Sequence, residues 1–290
     1  MFGIFSIWST FSSVVFYLSL AISLAGLVGN ALLLWYLGLH IGKGPFNTYL
    51  LHLAAADLLF LGCQVGFSIT QVAMGSEHAL HFPVTFLWFA VGLWLLAAFS
   101  LECCLAHLLP SCSRSGCRPR NTSVVVCILI WALTMPAVLL PANACGLLHN
   151  SMRLLACLSY HWTSVIWLVV LGSVACGASM VLFTHVTCCF LQQPPKFYRV
   201  VRCSGALVFF CRLPLVSYWS LRPALNFLLP IFQPLATLLA CIDSSSKPLL
   251  YYLEGRQLGK REPLRVVLNR ALGEESQLSP GGLSLPMSQV

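Results

Sequence analysis

The chain has 290 residues, of which 58% are hydrophobic and only 8% are charged, about a third of the charged share of an ordinary soluble domain. So few charges exclude a water-soluble fold, and a mean hydropathy of +0.85 indicates that a lipid bilayer is the solvent. The formal charge of +8 is typical both of nucleic-acid-binding proteins and of membrane proteins whose basic residues lie on one side. The positions of the basic residues decide between these classes.

Seven apolar stretches are each long enough to cross about 30 Å of hydrocarbon as a helix, which takes roughly 20 residues. Their predicted limits are 13–39, 48–74, 82–109, 123–142, 162–191, 200–221 and 227–253. Because the connections between them are short, no soluble domain is inserted in the chain. We therefore expect an all-α membrane protein, a seven-transmembrane helix bundle, in which every function lies in the helices or at their ends.

The predicted organisation has four parts. They are an extracellular N-terminus over 1–12, the seven-span domain over 13–253, a cytoplasmic amphipathic helix over 254–272 and a disordered tail over 273–290. The amphipathic helix is predicted because basic residues such as Arg265 alternate with apolar ones such as Val267, a pattern typical of a helix on a membrane surface. The tail is rich in Ser, Gly and Pro, which favours disorder.

The basic residues fall mainly on one side of the predicted bundle. Twelve of the sixteen lysines and arginines lie there, whereas the other side has only Arg153 and Arg222. By the positive-inside rule this predicts an extracellular N-terminus and a cytoplasmic C-terminus. The net charge is thus a signal of topology, and we expect no nucleic-acid partner.

Four ionisable residues lie inside the predicted spans, where a charge costs about 3 kcal/mol or more. They are Asp57, Arg212, Asp243 and Lys247. Asp57 and Lys247 lie about 14 and about 9 Å from the inner ends of their spans, a gap that a lysine side chain can close. Arg212 and Asp243 lie about 18 and about 15 Å from the inner ends of their spans, so a second ion pair is predicted.

The role of these charges remains open at this point. Either the two pairs only hold the bundle together, or they also switch between arrangements. For Arg212, three interpretations remain. It bonds to Asp243 only, it is the counter-ion of an anionic ligand, or it alternates between the two.

Cys145 and Cys157 flank an outer loop of eleven residues in an oxidising compartment. Either they form a disulfide, which would contribute about 3 kcal/mol, or both remain free thiols. The sequence contains no motif of a serine hydrolase, a zinc protease or a phosphate-binding loop. We therefore expect no enzymatic activity, no cofactor and no metal site.

Several short motifs occur at defined depths in the spans. They are Gly29-Asn30, Leu53-Ala54-Ala55-Ala56-Asp57, Glu102, Trp131, Phe210-Cys211-x-x-Pro214 and Ser244-Ser245-Ser246-Lys247-Pro248-Leu249-Leu250-Tyr251. In this order they resemble the rhodopsin-like G-protein-coupled receptors, and among them the Mas-related receptors, over nearly the whole chain. The resemblance implies a plasma-membrane receptor that binds an extracellular ligand and acts through a heterotrimeric G protein and arrestin. It further suggests sensory neurons and nociception.

The resemblance also implies roles for single residues. It supports the link between Cys145 and Cys157. Pro214 and Pro248 become the expected bend points, because proline removes a backbone hydrogen bond and clashes with the preceding turn. Tyr251 is expected to swing inward on activation.

Two departures from the family concern charge. In the family the equivalents of Asp57 and Lys247 line a sodium pocket, and we hypothesise that the ammonium of Lys247 replaces the ion. The family's acidic-Arg-aromatic triplet, whose arginine locks the inactive state and contacts the G protein, reads Glu102-Cys103-Cys104 here. The missing arginine at Cys103 implies a less tightly locked resting state or weaker coupling.

The resemblance places the ligand near the outer helix ends. The predicted contacts are Thr85, Trp88, Phe89, His161, Trp162 and Tyr218, with Arg212 beneath them. Thr85 stands where amine receptors have aspartate, and His161 where cation-binding Mas-related receptors have an acid, which argues against a cationic amine as ligand. A second interpretation of the aromatic residues remains open, because such residues also anchor helices at the membrane interface.

Two other classes of protein remain as alternatives. Cys103 favours a receptor-like membrane scaffold that does not couple to G proteins. A transporter is the other alternative, but the sequence has no internal repeat and no pair of interrupted helices.

Overall fold

The computed structural model describes residues 2–40, 45–75, 80–108, 121–148, 154–189, 207–228, 232–256, 263 and 266–268. These residues are almost entirely helical, and no strand occurs among them. A helix satisfies its backbone hydrogen bonds within one segment, which lipid requires. The predicted fold class is therefore confirmed.

Seven helices follow in chain order within the described residues. They are α1 (Phe2–His40), α2 (Pro45–Met74), α3 (His81–Leu108), α4 (Thr122–Ala144), α5 (Leu154–Cys189), α6 (Leu213–Leu228) and α7 (Phe232–Gly255), with a π-helical turn over Val208–Arg212 before α6. Each helix overlaps one predicted span. α1 begins at residue 2 instead of 13 and α5 at residue 154 instead of 162, because the preceding residues are also apolar and contain no proline.

The end of the chain is described only in part. The tail at 273–290 and most of the predicted amphipathic helix at 254–272 lie outside the described residues, as do residues 200–206 of the sixth predicted span. Val267 and Leu268 are helical and buried. A Cβ atom on Gly255 would lie 2.0 Å from the carbonyl oxygen of Val267, so a glycine permits this segment to approach the end of α7.

The outside of the bundle is apolar and its interior carries the charges. Helices α1 to α5 are long and apolar enough to cross a membrane. Large apolar side chains such as Val28 and Trp35 are exposed, whereas all four charges predicted within the spans are buried. This inverted distribution is that of a multi-pass membrane protein.

α3 is the central helix of the bundle. It contacts α2, α4 and α5, and 72% of its most apolar segment is buried, against 22% in α1 and in α5. Trp131 of α4 donates its indole N–H to Nδ1 of His52 in α2, at 3.2 Å. The side chains of α3 therefore line the interior of the bundle.

A disulfide marks one end of the bundle. Cys145, directly after α4, is bonded to Cys157 in the first turn of α5, and their Cα atoms are 4.7 Å apart. The predicted disulfide is confirmed. We call this end, where α3, α5 and α7 begin and α2, α4 and α6 end, the disulfide end.

α1 and α7 approach each other closely. A Cβ atom on Gly26 would lie 2.0 Å from Ser245 Oγ, so only a residue without a side chain fits there. Ser245 donates its hydroxyl to the carbonyl of Ile22 at 3.1 Å, and Asn30 donates its side-chain amide to the carbonyl of Ser244 at 2.9 Å. These contacts fix the rotation of α7 in its middle, where its two buried charges lie.

The π-helical turn before α6 ends two residues before Pro214. Proline cannot donate a backbone hydrogen bond, and a wider turn on its N-terminal side accommodates its ring. One extra residue in a turn rotates the preceding side chains by about 100° relative to an uninterrupted α-helix. In this register Phe210 is exposed, whereas Cys211 and Arg212 are buried.

Candidate functional site

Four charged side chains meet in the middle of the bundle. We call Asp57 of α2, Arg212 of the π-helical turn, and Asp243 and Lys247 of α7 the ionic cluster. Each is between 1% and 3% exposed. Such complete burial of four charges is sustained only when each has partners of opposite charge.

The cluster is one closed ring of ion pairs. Lys247 Nζ lies 2.5 Å from Asp57 Oδ2, and Arg212 Nε lies 2.6 Å from Asp243 Oδ2. These are the two contacts that depth along the helices predicts. Two further contacts close the ring, because Arg212 Nη2 lies 3.2 Å from Asp57 Oδ1 and Lys247 Nζ lies 3.3 Å from Asp243 Oδ2. Acids and bases therefore alternate around it.

The charges of the ring sum to zero. A sodium ion, which the receptor resemblance implies at Asp57, does not fit these residues, because an ammonium and a guanidinium both contact that carboxylate already. No group of three or more potential metal ligands occurs among the described residues.

Neutral groups hold the cluster in position. Ser244 donates its hydroxyl to Asp57 Oδ1 at 2.9 Å. A Cβ atom on Gly92 of α3 would lie 3.2 Å from Arg212 Nη1, so glycine leaves room for the guanidinium beside α3. The guanidinium also lies over the ring of Phe89, 5.4 Å from its centroid, a cation–π contact.

An aromatic layer separates the ionic cluster from the disulfide end. It consists of Phe82 and Phe86 of α3 and Tyr218 and Trp219 of α6, all buried. Phe86 and Trp219 are stacked, with centroids 4.3 Å apart and an 8° angle between the planes. Phe82 meets Tyr218 edge to face at 5.1 Å, a favoured geometry for aromatic pairs.

The aromatic layer reaches the ionic cluster through one side chain. Phe89 lies 5.8 Å from Phe86 and directly beneath the guanidinium of Arg212. A continuous series of contacts therefore runs from Trp219, through Phe86 and Phe89, to Arg212.

Only some of the predicted ligand contacts lie together. Tyr218 and Phe89 are in or beside the aromatic layer, and His161 Nε2 lies 3.1 Å from the carbonyl of Ser220, where it joins α5 to α6. Thr85 is buried and donates its hydroxyl to the carbonyl of His81 at 2.7 Å.

The two predicted tryptophan contacts lie elsewhere. Trp88 faces Trp131 of α4, 5.9 Å away, and Trp162 is 62% exposed on the outer surface of α5. Neither tryptophan is part of the aromatic layer. Both assignments remain predictions.

The remaining predicted residues lie between the ionic cluster and the end of the bundle opposite the disulfide. Glu102 and Cys103, near the end of α3, are 8% and 3% exposed, and Tyr251 of α7 is 6% exposed. Cys103 is thus packed in the core, where an arginine side chain would need both space and a partner. Pro248 lies inside α7, against Gly29 of α1.

Sequence reasoning did not single out three residues that support the cluster. Ser244 and Asn30 belong to the receptor motifs, so the sequence pattern already includes them. Ser244 donates a hydrogen bond to Asp57, and Asn30 donates one to α7. In the sequence, Gly92 is only a glycine in an apolar span. Its role depends on the direction of the Arg212 side chain, which the sequence does not give.

No protein-family profile matches the chain, but curated relatives do. The chain is 71% identical to Mas-related G-protein coupled receptor member G of Mus musculus, over 100% of both chains, and 62% identical to member G of Homo sapiens, over 99% of both. It is 35% identical to member E of Homo sapiens, over 92% of this chain and 88% of that one. All three relatives are receptors.

The bundle and its buried charges define the class: a multi-pass, all-helical membrane protein. At 71% and 62% identity over essentially the full length, the chain belongs to the Mas-related G-protein-coupled receptors. The resemblance drawn from the motifs is thereby confirmed. Within the family the chain is far more similar to the member G proteins than to member E.

Proposed function

We propose that the chain is a plasma-membrane receptor that binds an extracellular ligand at its disulfide end and signals through a heterotrimeric G protein, with arrestin as a further partner, at the opposite end. It has no enzymatic activity. The N-terminus is outside and the C-terminus cytoplasmic, which the basic residues support. Expression in sensory neurons and a role in nociception follow from the family resemblance alone.

The ionic cluster is the observation that carries this proposal. Its ion pairs join α2, the π-helical turn before α6, and α7 in the centre of the bundle. The contacts through Phe86 and Phe89 connect it to the aromatic layer. A ligand that repositions Trp219 would move Phe86, Phe89 and the guanidinium of Arg212. The ligand then favours an arrangement of α6 in which some ion pairs are exchanged, and the population shifts toward it.

The residues expected to face the G protein are Glu102 and Cys103. Bending at Pro214 and Pro248, with an inward movement of Tyr251, would transmit the change to that end. The ligand site includes the predicted contacts at Thr85, Phe89, His161 and Tyr218, together with Arg212. Trp88 and Trp162, which lie apart from them, stay predictions.

Charge exchange in the cluster tests the proposal. Two separate ion pairs would tolerate exchange within one pair, Asp57→Lys with Lys247→Asp. A ring would not, because the exchange places like charges beside Arg212 and Asp243, at the 3.2 and 3.3 Å contacts. Inversion of all four residues, by adding Arg212→Asp and Asp243→Arg, restores the alternation.

The readouts are surface expression and basal second-messenger signalling in transfected cells. We expect the pair exchange to lose surface expression and the fourfold inversion to regain part of it, with altered basal signalling. Arg256→Gln, which removes an exposed charge beyond α7, is the matched control and should change neither quantity. Equal surface expression of both forms would refute the ring, and unaltered signalling of a well-expressed inversion would refute its role as a switch.

Cys103 favours a second candidate function, a receptor-like scaffold that does not couple. Comparison of the wild type with Cys103→Arg distinguishes the two candidates. If neither form signals through any G-protein class despite normal surface expression, the scaffold is supported. Signalling by the wild type supports the receptor.

A further inference from the structure

Arg222 of α6 is a positively charged residue at the disulfide end. Its guanidinium carbon lies 4.9 Å from the centroid of the Phe82 ring, and the side chain is half-buried. Phe82 itself is part of the aromatic layer. The guanidinium therefore covers the outer face of that layer.

The guanidinium of Arg222 has unused hydrogen-bonding capacity. Its Nη1 atom is buried and has no hydrogen-bond partner among the described residues, and no carboxylate of those residues pairs with it. A half-enclosed cation is stabilised by an anion beside it. Arginine also presents paired donors in a fork that matches an oxyanion.

The surrounding sequence supplies almost no negative charge. Only Glu77, in the connection between α2 and α3, is an acid on this side of the chain. The other acids are Asp57 and Asp243 in the ionic cluster, Glu102 near the far end of α3, and Glu254, Glu262, Glu274 and Glu275 at or beyond the end of α7. Arg153, between α4 and α5, adds a second positive charge on this side.

The side chains beneath Arg222 are aromatic and would suit an apolar body. Phe82 packs against both Tyr218 and Trp219, at 5.1 and 5.8 Å between ring centroids. These rings are buried, so an aromatic or aliphatic body would reach the ring of Phe82 by displacing the guanidinium of Arg222, which then turns to the oxyanion.

We propose that Arg222 and Phe82 form the binding site for a ligand with an oxyanion group on an apolar or aromatic body, in which the guanidinium binds the oxyanion and Phe82 contacts the body. The oxyanion is a carboxylate, sulfate or phosphate, carried either by a soluble ligand or by a lipid headgroup. This inference rests on the proposed function, because it names the ligand class of the receptor.

The test compares three probes that share a naphthalene body: naphthylacetate, naphthylethylamine and naphthylethanol. Their dissociation constants are measured from the shift in thermal unfolding of the full-length protein in phosphatidylcholine nanodiscs. We expect naphthylacetate to bind about tenfold more tightly than the amine, the effect of a charge-assisted bidentate contact. Equal affinity of the wild-type protein for all three probes would by itself overturn the proposal.

Variants of Arg222 test whether this residue causes the preference for naphthylacetate over the amine. Arg222→Gln should abolish it, Arg222→Lys should retain part of it, and Arg256→Gln, at the opposite end of the bundle, should retain all of it. If the preference persists unchanged in a folded Arg222→Gln protein, the site lies elsewhere and the proposal fails.

The source of the oxyanion is distinguished by lipid composition. Replacement of part of the phosphatidylcholine by phosphatidylglycerol weakens naphthylacetate binding in the wild type, but not in Arg222→Gln, if a lipid headgroup competes for the site. Unchanged binding supports a soluble ligand. Equal weakening in both proteins reflects surface charge alone and counts against the site. Because the assay contains no G protein, a failure of coupling does not affect its result.

Discussion

The ionic cluster and the aromatic layer are adjacent but are held together by different forces. In the cluster, four charges alternate around a ring, and each contact depends on the sign of both neighbours. In the aromatic layer, the faces and edges of uncharged rings meet at 4.3 to 5.9 Å between centroids. Charge interactions in a low dielectric change steeply when one partner is lost, whereas dispersion is spread over many atoms.

This difference suggests a division of roles. The aromatic layer can accept small displacements, as a surface near a ligand must. The ionic cluster has few acceptable arrangements, because any contact between like charges is strongly unfavourable at this burial. A gradual displacement of the aromatic layer thus selects between discrete arrangements of the ionic cluster.

The largest effect should come from removal of one charge from the cluster. Arg212→Met leaves two buried carboxylates with one ammonium, and we expect a loss of about 3–5 kcal/mol in the free energy of unfolding. Thermal unfolding of the purified protein measures it. The neutral fourfold variant, with Asp57→Asn, Asp243→Asn, Arg212→Gln and Lys247→Gln, should be more stable than this single variant. The comparison fails if the fourfold variant is the less stable.

A smaller effect is expected where α1 supports the cluster. Gly26→Ala places a methyl group 2.0 Å from Ser245 Oγ and 2.6 Å from its Cβ, and forced repacking costs about 1–3 kcal/mol. Gly66→Ala in α2, which has no neighbour within 4 Å, is the matched control and should be neutral or stabilising. The added change Ser245→Gly should restore part of the lost stability. Equal stability of the two alanine variants would show that α1 and α7 separate without cost.

The four charges could be predicted from the sequence because charges are scarce in an apolar chain. Depth along each helix gave two of the four contacts. The other two depend on helix rotation, which the π-helical turn before Pro214 sets for Arg212. No sequence pattern signals that turn, since its cause is the accommodation of one proline within a specific bundle.

The aromatic layer was harder to predict for a different reason. In water, an apolar side chain belongs inside, and helical periodicity shows which one. In lipid, both the interior and the exterior accept apolar groups, so the sequence cannot distinguish buried Tyr218 and Trp219 from exposed Trp162 and Tyr160. The polar groups of the two buried residues determine which side chains are inside, because the hydroxyl of Tyr218 and the indole N–H of Trp219 have hydrogen-bond partners inside the bundle.

A modest effect is expected from one of these polar tips. Tyr218 donates its hydroxyl to Gln233 Oε1 at 2.7 Å, joining α6 to α7. Tyr218→Phe keeps the ring contact with Phe82 and should cost about 0.5–1.5 kcal/mol, the net value of one hydrogen bond. A double-mutant cycle with Gln233→Ala measures it in thermal unfolding. Additive losses in the cycle would mean that the two side chains are not coupled, and that the layer rests on ring packing alone.

The smallest effect on stability should come from Trp162, which is 62% exposed. Trp162→Leu keeps an apolar side chain toward lipid and should change the free energy of unfolding by less than about 0.5 kcal/mol. The same variant decides between the two interpretations of this residue. An interfacial anchor leaves the preference for naphthylacetate intact, whereas a ligand contact weakens it while stability stays unchanged. Because Trp162 lies outside the aromatic layer, we expect the preference to remain. A weakened preference would extend the ligand site beyond the layer, and the boundary drawn between the two regions would then have to include the outer surface of α5.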